Sequence, residues 1–426
     1  MLRLYNTALL PLRAAARLWA ALQRDPRKRA EWAERCTLRL PEVDPGGVWI
    51  HGASVGEARI VASLARAIRN RRAALPLAVS AYTPTGRSQL PEPPAVDTAF
   101  YAPLDFPAFA ARILAALRPA AMVLVETELW PNLLDQARLA GVPVVVLNGR
   151  LSSRRMARYR RLSPLYRPLI ERVSCLGVQS AEDAERFLEL GAPASATSVT
   201  GNVKYDLAPP AADAGELRRE LHLAPGRPVL VAGSTAPDEE PQVLIAFRQA
   251  RQACANLLLV LAPRHPARND EVQRCVRDSG LRSARLSGRP STDDLDVLLV
   301  DTLGELPALY QLATVAFVGG SLVPIGGHNV LEPAAVGVPV LYGPHTENVR
   351  EPVAALERAG GGMLVRGAAE LGSILEQLLQ DDERRTAMAR NAAEVVQANR
   401  GALERSVELL MATLGGHGSR PRAGAA

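Results

Sequence analysis

The chain has 426 residues, of which 48% are hydrophobic and 22% are charged, and its net charge is +6 at pH 7. This length exceeds what one hydrophobic core usually supports, and the composition excludes a disordered chain and one that crosses a membrane many times. The positive charge favours anionic partners, but no basic stripe interleaved with aromatic residues indicates nucleic acid. The four cysteines include no CxxC pair, and no cleavable signal sequence is apparent, so we expect reduced thiols and a cytoplasmic location.

Residues 1–30 are predicted to form an amphipathic helix at a membrane surface. Arg13 and Arg17 would lie in mid-bilayer if the helix spanned, and Pro11 weakens a continuous span. An interfacial position, with the arginines towards anionic headgroups, is less costly. The alternative is a terminal helix packed on its own domain. The apolar residues that recur at helical spacing are Leu2, Tyr5, Leu9, Leu12, Ala16 and Trp19.

From Val48 onward, short runs rich in valine and leucine alternate with helical stretches, seven before residue 206 and five after residue 228. Because these runs lack polar alternation, they are predicted to be parallel strands covered by helices on both faces. The pattern therefore predicts two Rossmann-like, doubly wound α/β domains. Ligands bind at the carboxyl ends of the strands in such domains, so we expect a central cleft where the two sets of strand ends meet.

The proline- and alanine-rich stretch after Asp206 marks the predicted domain boundary. The first Rossmann-like domain is predicted at 31–210 and the second at 211–414. The second domain is expected to end in the helical segment Asp382–Leu414. The small, polar residues 415–426 are predicted to be a disordered tail.

Glu57 lies in a turn that joins the first predicted strand to a helix, with the sequence Gly-Ala-Ser-Val-Gly-Glu. Exposed N–H groups at the start of a helix stabilise an anion. A carboxylate held there stays ionised and can accept a proton from an incoming hydroxyl. The alternative is that Glu57 only complements the helix dipole.

Further charged residues follow later strands of the first domain. Glu126 and Glu128 come after the fourth run, and we expect one of them to cap the helix that begins near Pro131 and the other to serve the site. Residues 148–155 offer several cations for a phosphorylated ligand, although such a run is as often a solvated face. Lys204 closes the first domain at the predicted cleft, where it could also be an ordinary surface cation.

Loops after strands of the second domain predict a nucleotide site. The glycine-rich segments 319–321 and 326–329 are expected to cradle phosphate with backbone N–H groups. Glu332 shares a helix face with Asn329 and can grip ribose hydroxyls, or the two can form a capping arrangement. Arg264 ends another strand. Histidines, cysteines and aspartates show no metal-ligand spacing, so no metal is expected.

Taken in order, these motifs resemble the Kdo transferases, which attach 3-deoxy-D-manno-oct-2-ulosonic acid (Kdo) from CMP-Kdo to the lipid A precursor, lipid IVA. Residues 235–240 depart from the family pattern, because they lack its histidine and one glycine while keeping the acidic pair. The segments that carry the resemblance are Trp49–Glu57, Glu126–Leu134, Asn148–Ser153, Gly201–Asp206, Pro263–Pro266, Asp301–Leu306 and Phe317–Glu332.

The resemblance implies an inverting, metal-independent glycosyltransferase of the GT-B fold, with acceptor bound in the first domain and CMP-Kdo as co-substrate in the second. It implies that Glu57 is the general base and that Glu128 and Lys204 stabilise the transition state. It also implies attachment to the cytoplasmic face of the bacterial inner membrane through the N-terminal helix. Rival interpretations are a UDP-sugar transferase, an epimerase, or a non-catalytic membrane-surface protein. The implied CMP contacts are Pro263, Arg264, Gly304, Glu305, Leu306, Asn329, Val330, Leu331 and Glu332.

Overall fold

The computed structural model describes residues 1–207 and 214–417. The chain divides into two compact units, one of Met1–Leu207 with Arg400–Ala426 and one of Ala208–Asn399. Residues 208–213, at the predicted boundary, and 418–426, in the predicted tail, lie outside the described residues.

The first unit is built on a seven-stranded sheet in which every pair is parallel, in the order β3-β2-β1-β4-β5-β6-β7. The strands are β1 (Val48–Gly52), β2 (Leu77–Ala81), β3 (Thr98–Tyr101), β4 (Ala121–Val125), β5 (Val144–Gly149), β6 (Cys175–Val178) and β7 (Thr197–Val199). The helices before residue 207 are α1 (Leu2–Leu22), α2 (Pro26–Arg35), α3 (Val55–Arg71), α4 (Pro84–Arg87), α5 (Pro107–Leu117), α6 (Pro131–Leu139), α7 (Ser153–Arg161), α8 (Ser163–Ile170) and α9 (Ala181–Glu189).

The second unit repeats this plan with a parallel sheet in the order β10-β11-β9-β8-β12-β13-β14. Its strands are β8 (Val229–Thr235), β9 (Leu258–Pro263), β10 (Ser283–Arg285), β11 (Val297–Leu299), β12 (Val315–Val318), β13 (Val340–Tyr342) and β14 (Gly362–Leu364). Its helices are α10 (Ala214–Glu220), α11 (Glu240–Ala253), α12 (Asn269–Asp278), α13 (Leu306–Leu309), α14 (Leu331–Ala335), α15 (Arg350–Ala359), α16 (Ala368–Gln380) and α17 (Asp382–Asn399).

Both faces of each sheet are buried, as the unbroken apolar runs predict. In β1, Trp49 packs in one hydrophobic cluster while Val48 and Ile50 pack in another. Successive side chains of a strand point to opposite faces, so a strand buried on both sides has no polar alternation. The strand order reverses between β1 and β4 in the first unit and between β8 and β12 in the second. Such reversals open a crevice at the carboxyl edge of the sheet, where ligands bind.

The C-terminal segment does not follow the predicted division. The helix predicted over Asp382–Leu414 is two helices, α17 and α18 (Ala402–His417), separated at Gly401 with φ of 88°. Helix α18 belongs to the first unit and not to the predicted domain 211–414. The cause is a distant contact: Asp206 accepts hydrogen bonds from the N–H groups of Gly401 and Leu403, both at 2.7 Å.

The N-terminal segment is also part of the first unit, and the predicted boundary at residue 30 falls inside α2. Of the predicted apolar face, Tyr5, Leu9 and Ala16 are half-buried, and Ala20 packs in a cluster with Phe106 and Phe109. Next to these residues, α1 carries an exposed apolar side that includes Leu12 and Trp19 of the predicted face. It consists of Met1, Leu4, Ala8, Pro11, Leu12, Ala15, Leu18, Trp19 and Leu22, here called the α1 stripe. No helix among the described residues is both long and apolar enough to cross a bilayer.

Candidate active site

Glu57 lies at the start of α3, directly after β1, and is 6% exposed. Its Oε2 accepts hydrogen bonds from the N–H groups of Ala53 and Ser54, the second at 3.1 Å, and its own N–H faces Ser54 Oγ at 3.5 Å. Glu57 and Ser54 therefore form a capping box at the start of α3, a structural contact more specific than the helix-dipole alternative. Burial raises the pKa of Glu57, and Glu126 adds to this, whereas the two backbone donors and Arg155 lower it.

Two further carboxylates leave the carboxyl end of β4, the strand next to β1. Glu126 adopts a left-handed conformation with φ of 61°, and Glu128 Oε2 accepts a 2.8 Å hydrogen bond from Trp130 Nε1. Burial and Glu57 raise the pKa of Glu128 to about 7, with Glu126 adding to the rise, while Trp130 and Arg155 oppose it. The three glutamates thus form one electrostatic group, which we call the carboxylate cluster.

The prediction that Glu126 or Glu128 caps α6 is wrong. The first N–H groups of α6 belong to Asn132 and Leu133, and they donate to Asp105 at 3.2 and 2.9 Å. Asp105 lies in the loop before α5, far from Pro131 in sequence. Neither Glu126 nor Glu128 is therefore needed to cap α6, and both can serve the candidate site.

Lys204 lies in a short 3₁₀ turn, Val203–Asp206, and its Nζ is 3.0 Å from Glu126 Oε1. Asn148, at the end of β5, holds this turn in place. Its Oδ1 accepts a hydrogen bond from the Val203 N–H at 2.9 Å. The structure therefore brings the three predicted catalytic residues Glu57, Glu128 and Lys204 into one group. Sequence reasoning missed the ion pair itself, because residues 126 and 204 are 78 positions apart.

In the second unit, Arg264 follows Pro263 at the end of β9, and its N–H donates to Thr235 O at 2.9 Å. Its side chain is exposed. The pKa of His328 is lowered to about 4 by burial first and then by Arg264 and His265. Arg264 thus lies beside the segment that leads to Asn329, as the predicted nucleotide site requires.

Asn329 and Glu332 are bonded to each other. Asn329 Oδ1 accepts from the Leu331 N–H at 3.2 Å, and Asn329 Nδ2 donates to Glu332 Oε1 at 3.1 Å. The capping box is nevertheless not formed, because α14 begins after Val330 and has no side-chain cap. Val330 and Leu331 are each 1% exposed, so neither side chain is open to a ligand.

The segment Gly304–Leu306 lies near the same strand ends. Glu305 pairs with Arg289 at 3.0 Å. A Cβ added to Gly233 would lie 3.1 Å from Leu306 and 2.0 Å from the Tyr310 hydroxyl, so both side chains pack under the end of β8. Burial raises the pKa of Tyr310, and Glu332 adds to that rise. The segment is thereby linked to Glu332 through Tyr310.

One expected phosphate cradle is already filled by the protein. The N–H groups of Gly320, Ser321 and Leu322 donate to the Glu239 carboxylate at 2.6, 2.9 and 2.7 Å, and Ala236 N–H donates at 2.8 Å. Glu239 is fully buried. The prediction of phosphate binding by segment 319–321 is therefore wrong. The sequence analysis noted the acidic pair Glu239 and Glu240 but did not predict that Glu239 binds these N–H groups, because Glu239 and Gly320 are 81 residues apart.

Two doubly wound units, each with polar loops at its strand reversal, define a protein of the GT-B fold. The crystal structure of Anabaena HepE in complex with UDP and glucose covers 87% of this chain and 100% of its own with a TM-score of 0.55, and at 16% identity it shows the fold alone. The family model for 3-deoxy-D-manno-octulosonic-acid transferase (kdotransferase) matches residues 27–207.

Two relatives carry the same name. The 3-deoxy-D-manno-octulosonic acid transferase of Haemophilus influenzae is 35% identical over 91% of this chain and 92% of its own length. That of Bordetella pertussis is 34% identical over 89% of this chain and 90% of its own. The chain belongs to the 3-deoxy-D-manno-octulosonic acid transferase family, and it is a glycosyltransferase.

Proposed function

We propose that this chain transfers Kdo from CMP-Kdo to the lipid A precursor, lipid IVA, with inversion at the anomeric carbon. The observation that carries the proposal is the carboxylate cluster at the strand reversal of the first unit, with Lys204 paired to Glu126. The names of the relatives support the sugar, and the resemblance of the motifs supports the donor and the acceptor.

Glu57 is the general base in this proposal. An acceptor hydroxyl attacks the anomeric carbon of Kdo and gives its proton to Glu57. The bond from that carbon to the phosphate oxygen breaks, and its electron pair leaves with CMP. The capping contacts suit this role, because two backbone donors on Oε2 hold the carboxylate in place and favour its ionised form.

Glu128 and Lys204 stabilise the transition state in this proposal. Burial and Glu57 raise the pKa of Glu128 to about 7, so this carboxyl is still partly protonated near neutral pH. Lys204 and Arg155 supply positive charge beside these groups, where an anionic substrate would otherwise be repelled.

The second unit binds CMP-Kdo in this proposal. Arg264 binds the phosphate, and the side chains of Glu305, Asn329 and Glu332 hold the nucleoside. The buried Val330 and Leu331 hold the start of α14 in place beneath them. Because Asn329 and Glu332 are bonded to each other, nucleotide binding uses their remaining hydrogen-bonding capacity. Pro263, Gly304 and Leu306 shape the surrounding loops. The reaction needs no metal or cofactor.

In this proposal the enzyme binds the cytoplasmic face of the inner membrane through the α1 stripe. Leu4, Leu18 and Leu22 are 67%, 61% and 64% exposed, and Trp19 is 55% exposed. An exposed apolar helix face with flanking arginines enters the boundary between headgroups and acyl chains. A lipid acceptor is then within reach of a protein that folds in water.

The test is incubation of full-length protein with CMP-Kdo and lipid IVA in EDTA, reading product mass. We expect Kdo added to lipid IVA and CMP released, and we expect Glu57→Gln to lower kcat by about 10²- to 10⁴-fold. The exposed Glu42→Gln variant is the matched control and should retain wild-type turnover. Near-normal turnover by folded Glu57→Gln protein would remove the base assignment.

The rival functions make different predictions in the same experiment. A UDP-sugar enzyme would be inhibited by UDP more strongly than by CMP. A non-catalytic membrane-surface protein would release no CMP with any acceptor. Turnover that EDTA abolishes would contradict the metal-independent mechanism.

A further inference from the structure

A buried histidine lies behind the carboxylate cluster, and no step of the proposed transfer uses it. His51 is 1% exposed in β1, and its Nε2 lies 3.9 Å from Glu128 Oε2. Its Nδ1 lies 3.0 Å from Ser80 Oγ. His51 and Ser80 are paired residues of neighbouring strands, so their side chains leave the sheet on the same face.

The contact continues to Trp49, which is two residues before His51 and therefore on the same face of β1. Trp49 Nε1 donates to Ser80 Oγ at 2.8 Å, and an indole can only donate. The Ser80 hydroxyl proton is then available to His51 Nδ1. A ring that accepts at Nδ1 carries its proton at Nε2, on the side of Glu128.

The charge state of the ring agrees with this arrangement. Burial lowers the pKa of His51 to about 4, so the ring is neutral at physiological pH. A neutral ring with its proton at Nε2 is a hydrogen-bond donor. Trp130 Nε1 donates to the Oε2 atom of Glu128 at 2.8 Å, and His51 Nε2 faces the same oxygen from 3.9 Å, beyond direct hydrogen-bond distance but close enough for its N–H dipole to act on the carboxylate.

We propose that His51 is a positioning residue that presents its Nε2 proton to Glu128 and stabilises the ionised carboxylate in the site. The proposal rests on the proposed function, in which Glu128 acts in the transfer. The other groups that face Glu128 are Glu57 and Glu126, which oppose its ionisation, Arg155, which favours it, and the Tyr159 phenol.

Two substitutions separate this role from packing. Leucine at His51 has a similar volume and no donor, whereas glutamine keeps an N–H near the position of Nε2. The pKa of Glu128 is measured by carboxyl ¹³C NMR on glutamate-labelled full-length protein, with the signal assigned by Glu128→Gln. We expect His51→Leu to raise that pKa by about one unit, and His51→Gln to leave it near the wild-type value.

An unchanged pKa in His51→Leu, or an equal rise in both variants, overturns the proposal. Ser80→Ala should raise the pKa by less, because the ring loses its anchor but not its donor. Ser406→Ala is the matched control, since Ser406 is fully buried and its Oγ has no hydrogen-bond partner in the described part of the chain. A rise of equal size in Ser406→Ala also overturns the proposal.

The dependence of kcat on pH gives a second measurement. The acidic limb in His51→Leu should move upward together with the NMR pKa. A loss of kcat with an unmoved acidic limb would indicate a purely structural role and would overturn the proposal. The NMR titration needs no substrate, so it reports on His51 even if wild-type protein fails to transfer Kdo, and the two failures are distinguishable.

Discussion

The Tyr5 hydroxyl donates a 3.0 Å hydrogen bond to Asp105 Oδ2, and this contact joins the N-terminal helix to the loop that caps α6. The same carboxylate accepts from the N–H groups of Asn132 and Leu133. Burial raises the pKa values of both Tyr5 and Asp105, so the phenol remains protonated as a donor at neutral pH. Asp105 thus binds both α1, through Tyr5, and the start of α6.

The first prediction concerns this shared carboxylate. Tyr5→Phe should lower the free energy of unfolding by about 1 kcal/mol, because it removes one hydrogen bond while keeping the ring. Asp105→Ala should cost more, because it also leaves the start of α6 without its cap. Thermal unfolding of both variants measures the difference. An equal loss in the two variants would contradict the shared role of Asp105.

The second prediction concerns the α1 stripe. Replacing Leu18 and Trp19 together by serine should lower binding to vesicles of anionic phospholipid at least tenfold, because two apolar side chains that are 61% and 55% exposed would no longer enter the bilayer. Sedimentation with vesicles measures the change. The thermal midpoint should change little, since both side chains are more than half exposed.

A matched control for the stripe uses equally exposed apolar residues elsewhere. Leu139 and Ile245 are 59% and 58% exposed and lie outside α1. Serine at both positions should leave vesicle binding at the wild-type level. Similar losses in the two double variants would indicate general hydrophobic adhesion and not docking through α1.

The third prediction follows from the raised pKa of Glu128. Its ordinary value of 4.5 rises to about 7 in the fold, so between these pH values the folded state binds more protons than the unfolded state. The free energy of unfolding therefore falls as pH rises from 4.5 to 7, and above pH 7 the ionised group costs about 3 kcal/mol.

Glu128→Gln should accordingly raise the thermal midpoint at pH 8 and have little effect at pH 5, while it lowers turnover. The exposed Glu42→Gln variant should change neither midpoint. Thermal unfolding at the two pH values is the measurement. A Glu128→Gln protein that is less stable than wild type at pH 8 would contradict the electrostatic repulsion within the cluster.

The sequence predicted the strands of the two sheets where apolar runs were long, and it missed β10 and β14. Both have three residues, lie at the sheet edges and are half-buried, so they lack the apolar run that marks a buried strand. The return of α18 to the first unit could not be predicted, because it depends on Asp206 and Gly401, which are 195 residues apart.

The sequence predicted that the site residues follow the carboxyl ends of strands. The structure adds the contacts between their side chains. Parallel strands bring their carboxyl ends to one edge, so Glu57 and Glu128 could be placed together from their positions after β1 and β4. His51 could not be distinguished from an ordinary core residue, because its role depends on the register of β1 against β2.

The last prediction concerns Glu239, which holds the turn after β12. Glu239→Ala should destabilise the second unit by several kcal/mol, because four backbone N–H groups lose a charged acceptor and stay buried. Glu239→Gln should have a smaller effect of the same sign, since an amide keeps one oxygen but places an NH₂ group against backbone donors.

The effect should also reach nucleotide binding, since the Gly320 turn packs against His328, next to Asn329. Calorimetry with CMP should show weaker binding for Glu239→Gln, and the exposed Glu383→Gln variant should bind as wild type. If Glu239 instead left room for phosphate in the turn, wild-type protein would bind inorganic phosphate as tightly as Glu239→Ala protein. Unchanged stability and CMP affinity in Glu239→Ala would show that the buried carboxylate does not hold the turn.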